Sequence, residues 1–388
     1  MNKQLMHTIE SLASLFEEAS IPYTFIEEAS LFLQGMEIAP KEIKVLIQWD
    51  LFEKGYGLLE GACTPIRESA SEASFSCSYD NTPVTVSCIY NTTVKTDPYR
   101  VQTNGVWCRS MYSYMFSGTK DDGTAIVEYL LNKQKGLTEK NEQAWNQNNY
   151  AALINRFGEP AAIEEKIIKN PEWRLHPFGK YMQGLKGKKV LHLLGSNGVK
   201  ATAMALLGAD VTVVDFSMEN ATYAKEVAAA ANVDINYIVS DVFSLDPADM
   251  EGQFDYVLME LGVLHYFITL EPLFKLIGNA LADNGCYILH EFHPISTKLI
   301  TSTGKKHKVT GNYFNPELTK QSVAFSKHMP DQMKEELAET VQRKWTLGEI
   351  ITGVAAAGMR ITTLEEEPNH KLHDIGLPKT YTLVAAKK

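Results

Sequence analysis

KVLHLLGSNGVKATAMALLGADVTVVD, residues 189–215, is the stretch on which the fold turns. Val190–Leu194 is an unbroken apolar run, as suits a strand buried on both faces of a parallel sheet. Gly195 and Gly198 bracket a tight turn in which backbone approaches a ligand and side chains would intrude. Ala201–Leu207 is apolar at helical spacing, and Val211–Val214 is a second buried strand. Asp215 ends that strand, where a carboxylate can accept hydrogen bonds from both ribose hydroxyls of a nucleoside. The turn lacks the third glycine of the dinucleotide fingerprint G-x-G-x-x-G.

The same alternation continues downstream. Val233–Asp241 is a third strand, Phe254–Leu261 a fourth, and Gly262-Val-Leu-His265-Tyr266 follows it. Leu273–Leu281 is a helix closed by Asp283-Asn-Gly285, and Cys286–Glu291 is a fifth strand. A helix near Thr346–Ala357, a strand at Met359–Leu364 and a last strand at Tyr381–Ala386 complete the pattern.

In VLHLLGSNG, GADVTVVDFS, INYIVSD, FDYVLMELGVLHY, LADNGCYIL and YTLVAAKK, spread over roughly residues 140–388, the chain resembles the class I S-adenosylmethionine-dependent methyltransferases of small-molecule type. The resemblance implies an α/β, Rossmann-like sheet of seven strands, the last antiparallel, and S-adenosyl-L-methionine as cofactor, with S-adenosyl-L-homocysteine as product. Carried over by position, Gly195, Ser196, Asn197 and Gly198 line the methionine part and ribose, and Asp215 binds the ribose hydroxyls. Phe216 lies against adenine with Ser217 and Met218 nearby; Asp241 and Val242 meet the adenine amino group. Glu260, Leu261 and Gly262 pass beneath the sulfonium. The family's turn has more glycine, and often an acidic residue where His192 stands; Ser196 and Asn197 replace glycines of many relatives. Trp145, Asn146 and Tyr150 resemble the leading helix that lies over the cofactor, so Tyr150 is placed in the cofactor site, with helix packing as the other reading of Trp145 and Tyr150.

Methyl transfer needs a nucleophile aligned with the methyl group, and a base if that nucleophile is a hydroxyl. His265 and Tyr266 follow the fourth strand, so they are the catalytic candidates, His265 as base because imidazole titrates near neutrality. Orienting the loop is the alternative role. His290, Glu291 and His293 end the fifth strand; two of them could join His265 around a metal, but a firm fourth ligand is lacking, so no metal is expected and proton handling or substrate hydrogen bonding is the simpler reading. Trp173, Arg174 and His176 sit in a bend able to face a substrate. Within 296–341, Tyr313, Phe314, Asn315, Phe325, His328 and Met329 suggest a cap over an organic ligand, and Trp345 opens the next helix.

Residues 1–135 form a separate, smaller α+β domain, and 136–388 the methyltransferase domain, joined near Gly136–Glu142. The order is a helix at Met6–Ala19, a strand at Ile21–Glu27, a helical turn at Ser30–Gly35, a strand at Glu42–Trp49, a helix at Asp50–Leu59 capped by Asp50, a hairpin around Asp80-Asn81 and a helix at Thr124–Lys133. IPYTFIEEASLFLQGMEIAPKEIKVLIQWD resembles the minimal nucleotidyltransferase fold, whose Gly-Ser turn falls at Ala29-Ser30, first acid at Glu42, second at Lys44 and third near Thr85 or Ser87. A lysine where a metal ligand belongs opposes metal binding, which implies a catalytically dead relative that binds substrate, dimerises or buttresses its neighbour.

The 388 residues suit two or three domains, and 45% hydrophobic content is ordinary for a globular chain. No run suits a membrane span or signal peptide. Five cysteines without metal-ligand spacing read as free thiols in a reducing cytoplasm. The net charge of −10 disfavours tRNA, rRNA or DNA as partner. The expected partner is a small organic molecule that receives the methyl group on oxygen or nitrogen, and a homodimer is left open. A cofactor-binding scaffold without turnover is the competing reading, with an RNA methyltransferase and an NAD-dependent oxidoreductase behind it.

Overall fold

The computed structural model describes residues 3–59, 63–117, 120–303, 306–330, 337–369 and 376–387. Two compact units divide the chain: Met1–Tyr129 with Phe314–Pro316, and Leu130–Tyr313 with Glu317–Lys388. The division falls within one helix, α1 (Lys120–Trp145), and the polar stretch expected to join two domains near Gly136–Glu142 is part of that helix. The helix expected at Thr124–Lys133 is part of it, and a polar inward face hid the continuation to Trp145. Gln134, Thr138 and Asn141 recur at helical spacing and are 2%, 8% and 0% exposed.

The first unit is built on a seven-stranded sheet in the order Arg67–Glu68, Glu72–Tyr79, Thr82–Ile89, Ile43–Ile47, Tyr23–Ile26, Val106–Arg109, Arg100–Thr103. Helix Lys3–Glu18 buries Leu5, Ile9, Leu12 and Phe16 along one stripe. Asp80 and Asn81 both take left-handed angles (φ +48° and +58°), the two-residue hairpin turn that matches strand twist. Asp50 is not a cap: it lies inside the 3-10 turn Trp49–Leu51, and helix Phe52–Leu58 starts after Leu51 without a side-chain cap. The expected turn at Ser30–Gly35 is a helix from Glu27 to Leu33. Strands Arg100–Thr103 and Val106–Arg109, joined at Asn104-Gly105, are not among the expected elements.

The second unit holds the expected Rossmann-like sheet. Its strands are β1 (Lys189–Leu193), β2 (Asp210–Asp215), β3 (Asn236–Val239), β4 (Phe254–Glu260), β5 (Leu281–Phe292), β6 (Arg360–Pro368) and β7 (Pro378–Ala386). They lie in the order β3-β2-β1-β4-β5-β7-β6, with β7 antiparallel to both neighbours. Val190, Leu191 and Leu193 are fully buried, so β1 is central and covered on both faces. Each such side chain contributes about 1.5–3 kcal/mol. Helices α2 (Asn149–Phe157), α3 (Pro160–Lys169), α4 (Val199–Leu206), α5 (Met218–Ala230), α6 (Glu271–Ala280) and α7 (Leu347–Ala356) accompany the sheet. Thr346 and Glu349 form a capping box at the start of α7. β5 is longer than expected: Leu281 pairs with Phe254, the register then slips, and Asp283-Asn-Gly285 is an irregularity inside the strand rather than a turn before it. The sequence order reverses at β1, placing a crevice beyond the carboxyl ends of β1, β2 and β4.

Candidate active site

The turn after β1 is left-handed at Leu194 (φ +52°), Ser196 (+48°) and Gly198 (+67°), and Leu261 after β4 is left-handed as well (+43°). Non-glycine residues in this region carry strain, and such strain tends to gather at functional sites. Glycine is required at two positions. A Cβ on Gly195 would come within 2.6 Å of Val213 Cγ1 and 2.9 Å of His192 Nδ1, and one on Gly198 within 2.4 Å of Ala224 Cβ. Gly198 thus lets α4 start hard against α5.

Asp215, 6% exposed, is held by three donors. Oδ2 accepts from Ser196 N (3.0 Å), and Oδ1 from Ser217 N (2.9 Å) and Asn220 Nδ2 (3.3 Å). Burial pushes its carboxyl up and these donors pull it back. Ser217 caps α5, accepting from Asn220 N and donating to Asn146 Oδ1 (2.9 Å), so its hydroxyl is engaged inside the fold. Asp215, Phe216, Ser240, Asp241 and Val242 line a slot of about 10 Å³, closed by Gln134, Thr138 and Asn141 from α1.

That slot adjoins a cleft of about 710 Å³, within the size range of organic-ligand sites. Gly195, Ser196, Asn197, Asp215, Phe216, Glu260, Leu261, Gly262, His265 and Tyr266 line it, as do Trp145, Trp173, Arg174, His176 and Phe325. Four expected residues, Gly198, Ser217, Met218 and Tyr150, line neither the cleft nor the slot; Gly198 serves the packing of α4 on α5. Tyr150 Oη donates to Glu226 (2.6 Å) and its ring packs on Tyr223, because α2 turns that face toward α5. Met218 is 59% exposed on the first turn of α5, and Ser217 is buried beneath it. In the segment expected as a cap, Gln321, Ser322, Ala324 and Phe325 reach the cleft and Gln342 follows from the paired strand. Tyr313 does not; its hydroxyl accepts from Leu347 N (3.0 Å). Lys200, Phe157 and Gln342 also line the cleft, and nothing in their local sequence marked them.

Under the cleft, Glu260 at the end of β4 is paired with Lys200, and His192 Nε2 stands 3.6 Å from its other oxygen. His192 is fully buried with both ring nitrogens unpartnered, and burial lowers its pKa to about 4. His265 is neutral too: burial, then the nearby Lys344, lower its pKa to about 3, and its Nε2 is buried without a partner. The titration near neutrality that made His265 the expected base is removed by desolvation. Tyr266 accepts a hydrogen bond from Trp145 Nε1 (3.0 Å), and burial raises its phenol far above the usual range.

The loop after β4 is held from three sides. Glu291 accepts from the backbone N–H of Gly262 (2.5 Å), Val263 (2.9 Å) and Leu264 (3.3 Å), and from Phe292 N (2.7 Å). Trp345 Nε1 donates to the carbonyls of Leu264 and Phe267 (3.0 and 3.1 Å). Gln134 bonds Tyr266 O (2.9 Å) and Ile268 N (2.7 Å). Glu291, expected near the chemistry, is outside the cleft lining and spends its carboxylate on these backbone donors. His290 Nδ1 pairs with Thr382 (3.0 Å) and His293 Nε2 with Glu366 (2.7 Å), so neither turns to His265.

In the first unit, Lys44 Nζ pairs with Glu27 (2.6 Å), and Glu42 accepts a hydrogen bond from Thr85. Ala29 and Ser30 lie inside helix Glu27–Leu33 rather than in an open turn. Among the described residues no three His, Cys, Asp or Glu side chains gather as metal ligands, and no helix is long and apolar enough to cross a membrane.

Residues 192–289 match the family described as Methyltransferase domain. No curated protein matches the chain. Among solved structures the chain is similar to a Listeria monocytogenes protein thought to be an S-adenosylmethionine-dependent methyltransferase, at 19% identity and TM-score 0.45, covering 56% of this chain and 98% of that one. It is similar to an S-adenosylmethionine-dependent methyltransferase from Mesorhizobium loti at 18% identity and TM-score 0.43, covering 56% and 97%. Magnesium protoporphyrin IX methyltransferase from Synechocystis PCC 6803, with bound SAH, shares 15% identity at TM-score 0.39, covering 64% and 97%.

Proposed function

We propose that this chain, which carries a class I S-adenosylmethionine-dependent methyltransferase domain and is a transferase, moves a methyl group to an oxygen or nitrogen of a small organic molecule. The observation that carries the reading is Asp215, seated at the end of β2 beside the left-handed turn of β1 and facing the cleft.

The residues fit the cofactor. An ionised carboxylate offers about four acceptor positions, and the donors on Asp215 leave capacity for a ribose hydroxyl. Phe216, Asp241 and Val242 would hold the base, and Gly195, Ser196, Asn197 and Glu260 the amino-acid end. When bound, the cofactor supplies an electrophilic methyl group on a sulfonium. The chain's own task is then to orient the substrate and exclude water. Leu261, Gly262, His265 and Tyr266 form the wall beside the reacting position, fixed by Glu291, Trp345 and Gln134. A neutral, buried His265 is a poor proton acceptor at pH 7, so its role in this reading is to shape that wall. A substrate whose nucleophile arrives already deprotonated, or as a free amine, needs no base.

Further parts of the reading rest on lighter support. The net charge of −10 repels a polyanion, which favours a small molecule over nucleic acid; a cytoplasmic setting accords with the cysteine usage. The Lys44–Glu27 pair supports reading the first unit as a silent nucleotidyltransferase relative.

The test is calorimetric titration of the full chain and of Asp215→Ala with S-adenosylhomocysteine. Micromolar binding that the variant loses supports the reading. Equal affinity in both sinks the ribose assignment, and no binding by the unaltered chain brings the scaffold reading forward.

A further inference from the structure

We infer that the substrate is an aromatic or otherwise planar carboxylate, held by the guanidinium of Arg174. The inference rests on the methyltransferase reading and deepens it to a substrate class.

The charged groups lining the cleft are unequally engaged. Asp215 is held by three donors, with room for a ribose hydroxyl, and Glu260 by Lys200. Arg174, the last residue of the short helix Pro171–Arg174, has no carboxylate within ion-pair distance among the described residues. Its Nε is buried without a hydrogen-bond partner, an arrangement rare enough to want a reason. Its guanidinium carbon lies 5.3 Å from the centroid of the Trp173 ring, and that ring is itself 64% exposed.

An unpaired cation on the wall of a cleft, in a chain of net charge −10, makes a local field opposite to that of the whole molecule. The ligand it favours is an anion small enough to enter. A guanidinium fork matches a carboxylate in two parallel hydrogen bonds, which a lysine cannot do. The walls add the second half of the specification: Trp173, Phe157, Phe292 and Phe325 all face the same cavity, and Phe157 and Phe325 meet edge to face at 5.6 Å. Such walls suit a flat apolar body carrying one charged end.

The experiment uses the full chain saturated with S-adenosylhomocysteine. It is titrated calorimetrically with 4-hydroxybenzoate and indole-3-acetate, and with the neutral amides of both. Arg174→Gln and Arg174→Lys are run beside it. The expected result is that a carboxylate binds at least ten-fold tighter than its amide. Arg174→Gln abolishes that preference and Arg174→Lys keeps part of it, with S-adenosylhomocysteine affinity the same in all three chains. The inference is overturned if the amides bind as well as the acids, if Arg174→Gln retains the preference, or if neither carboxylate binds the loaded chain. Failure of S-adenosylhomocysteine itself to bind is a different result: it removes the methyltransferase reading, and this inference with it.

Discussion

Each unit of this chain builds a seven-stranded sheet and leaves buried polar atoms unmet, Thr24 Oγ1 and Arg109 Nε in the first, yet in the second such atoms gather around a cleft. In the first, charges close on near neighbours: Lys44 on Glu27, Arg109 on Asp97 (3.3 Å), Glu42 on Thr85. In the second, cost collects around one cleft. Three left-handed non-glycine residues, two buried histidines with unpartnered nitrogens and an unpaired arginine lie in or under it. Sheets of the same size can be finished or left open, and the open one is where a ligand has work to do.

The sharpest way to break the comparison is at Glu291. Glu291→Ala strips the acceptor from several buried N–H groups at once, so thermal or urea unfolding is expected to show a loss of about 3–5 kcal/mol. A loss under about 1 kcal/mol would mean the loop after β4 is not held by this clamp.

Next in size is Asp215→Ala, expected to weaken S-adenosylhomocysteine binding by about 1.5–3 kcal/mol, or roughly 10–150-fold, by calorimetry.

The buried histidines give a pH signature that the first unit does not supply. His192 and His265 have folded-state pKa values lowered to about 4 and about 3, below the unfolded value near 6.5. Below about pH 6.5 the unfolded chain takes up protons that the folded chain refuses, so stability falls as pH drops toward 4. Each histidine contributes about 1.4 kcal/mol per pH unit across that window. Denaturant midpoints from pH 7 to pH 4.5 should fall less steeply in His192→Phe; an unchanged slope would count against the burial argument.

The smallest expected effect lies in the first unit. Lys44→Ala breaks an exposed pair and is expected to change stability by no more than about 0.5 kcal/mol, with S-adenosylhomocysteine affinity untouched. A larger change would show that this pair carries more than surface charge.

What could be read ahead of the structure follows the same division. The second sheet was legible because buried parallel strands are written as apolar runs and their carboxyl ends carry the ligand groups, so Asp215, Asp241 and Glu260 fell where the cleft is. Helix α1 was expected only over Thr124–Lys133; its continuation to Trp145 was hidden because Gln134, Thr138 and Asn141 make a polar inward face, which periodicity of apolar residues cannot find. Tyr150 went astray because its identity says nothing about which face of α2 turns to α5. Lys200 and Gln342 became lining residues through tertiary packing alone. The Asn104-Gly105 hairpin, by contrast, was written plainly in the strongest short-range turn signal, and its flanking strands were too short to announce themselves.

Leu194, Ser196 and Leu261 carry one further consequence. At these positions the fold specifies an angle and leaves the letter open. A pattern spelled in amino acids treats each lost glycine as a weaker match, whereas a pattern spelled in backbone dihedrals would register no loss at all. A search spelled in handedness would read these turns where a search for glycine passes over them.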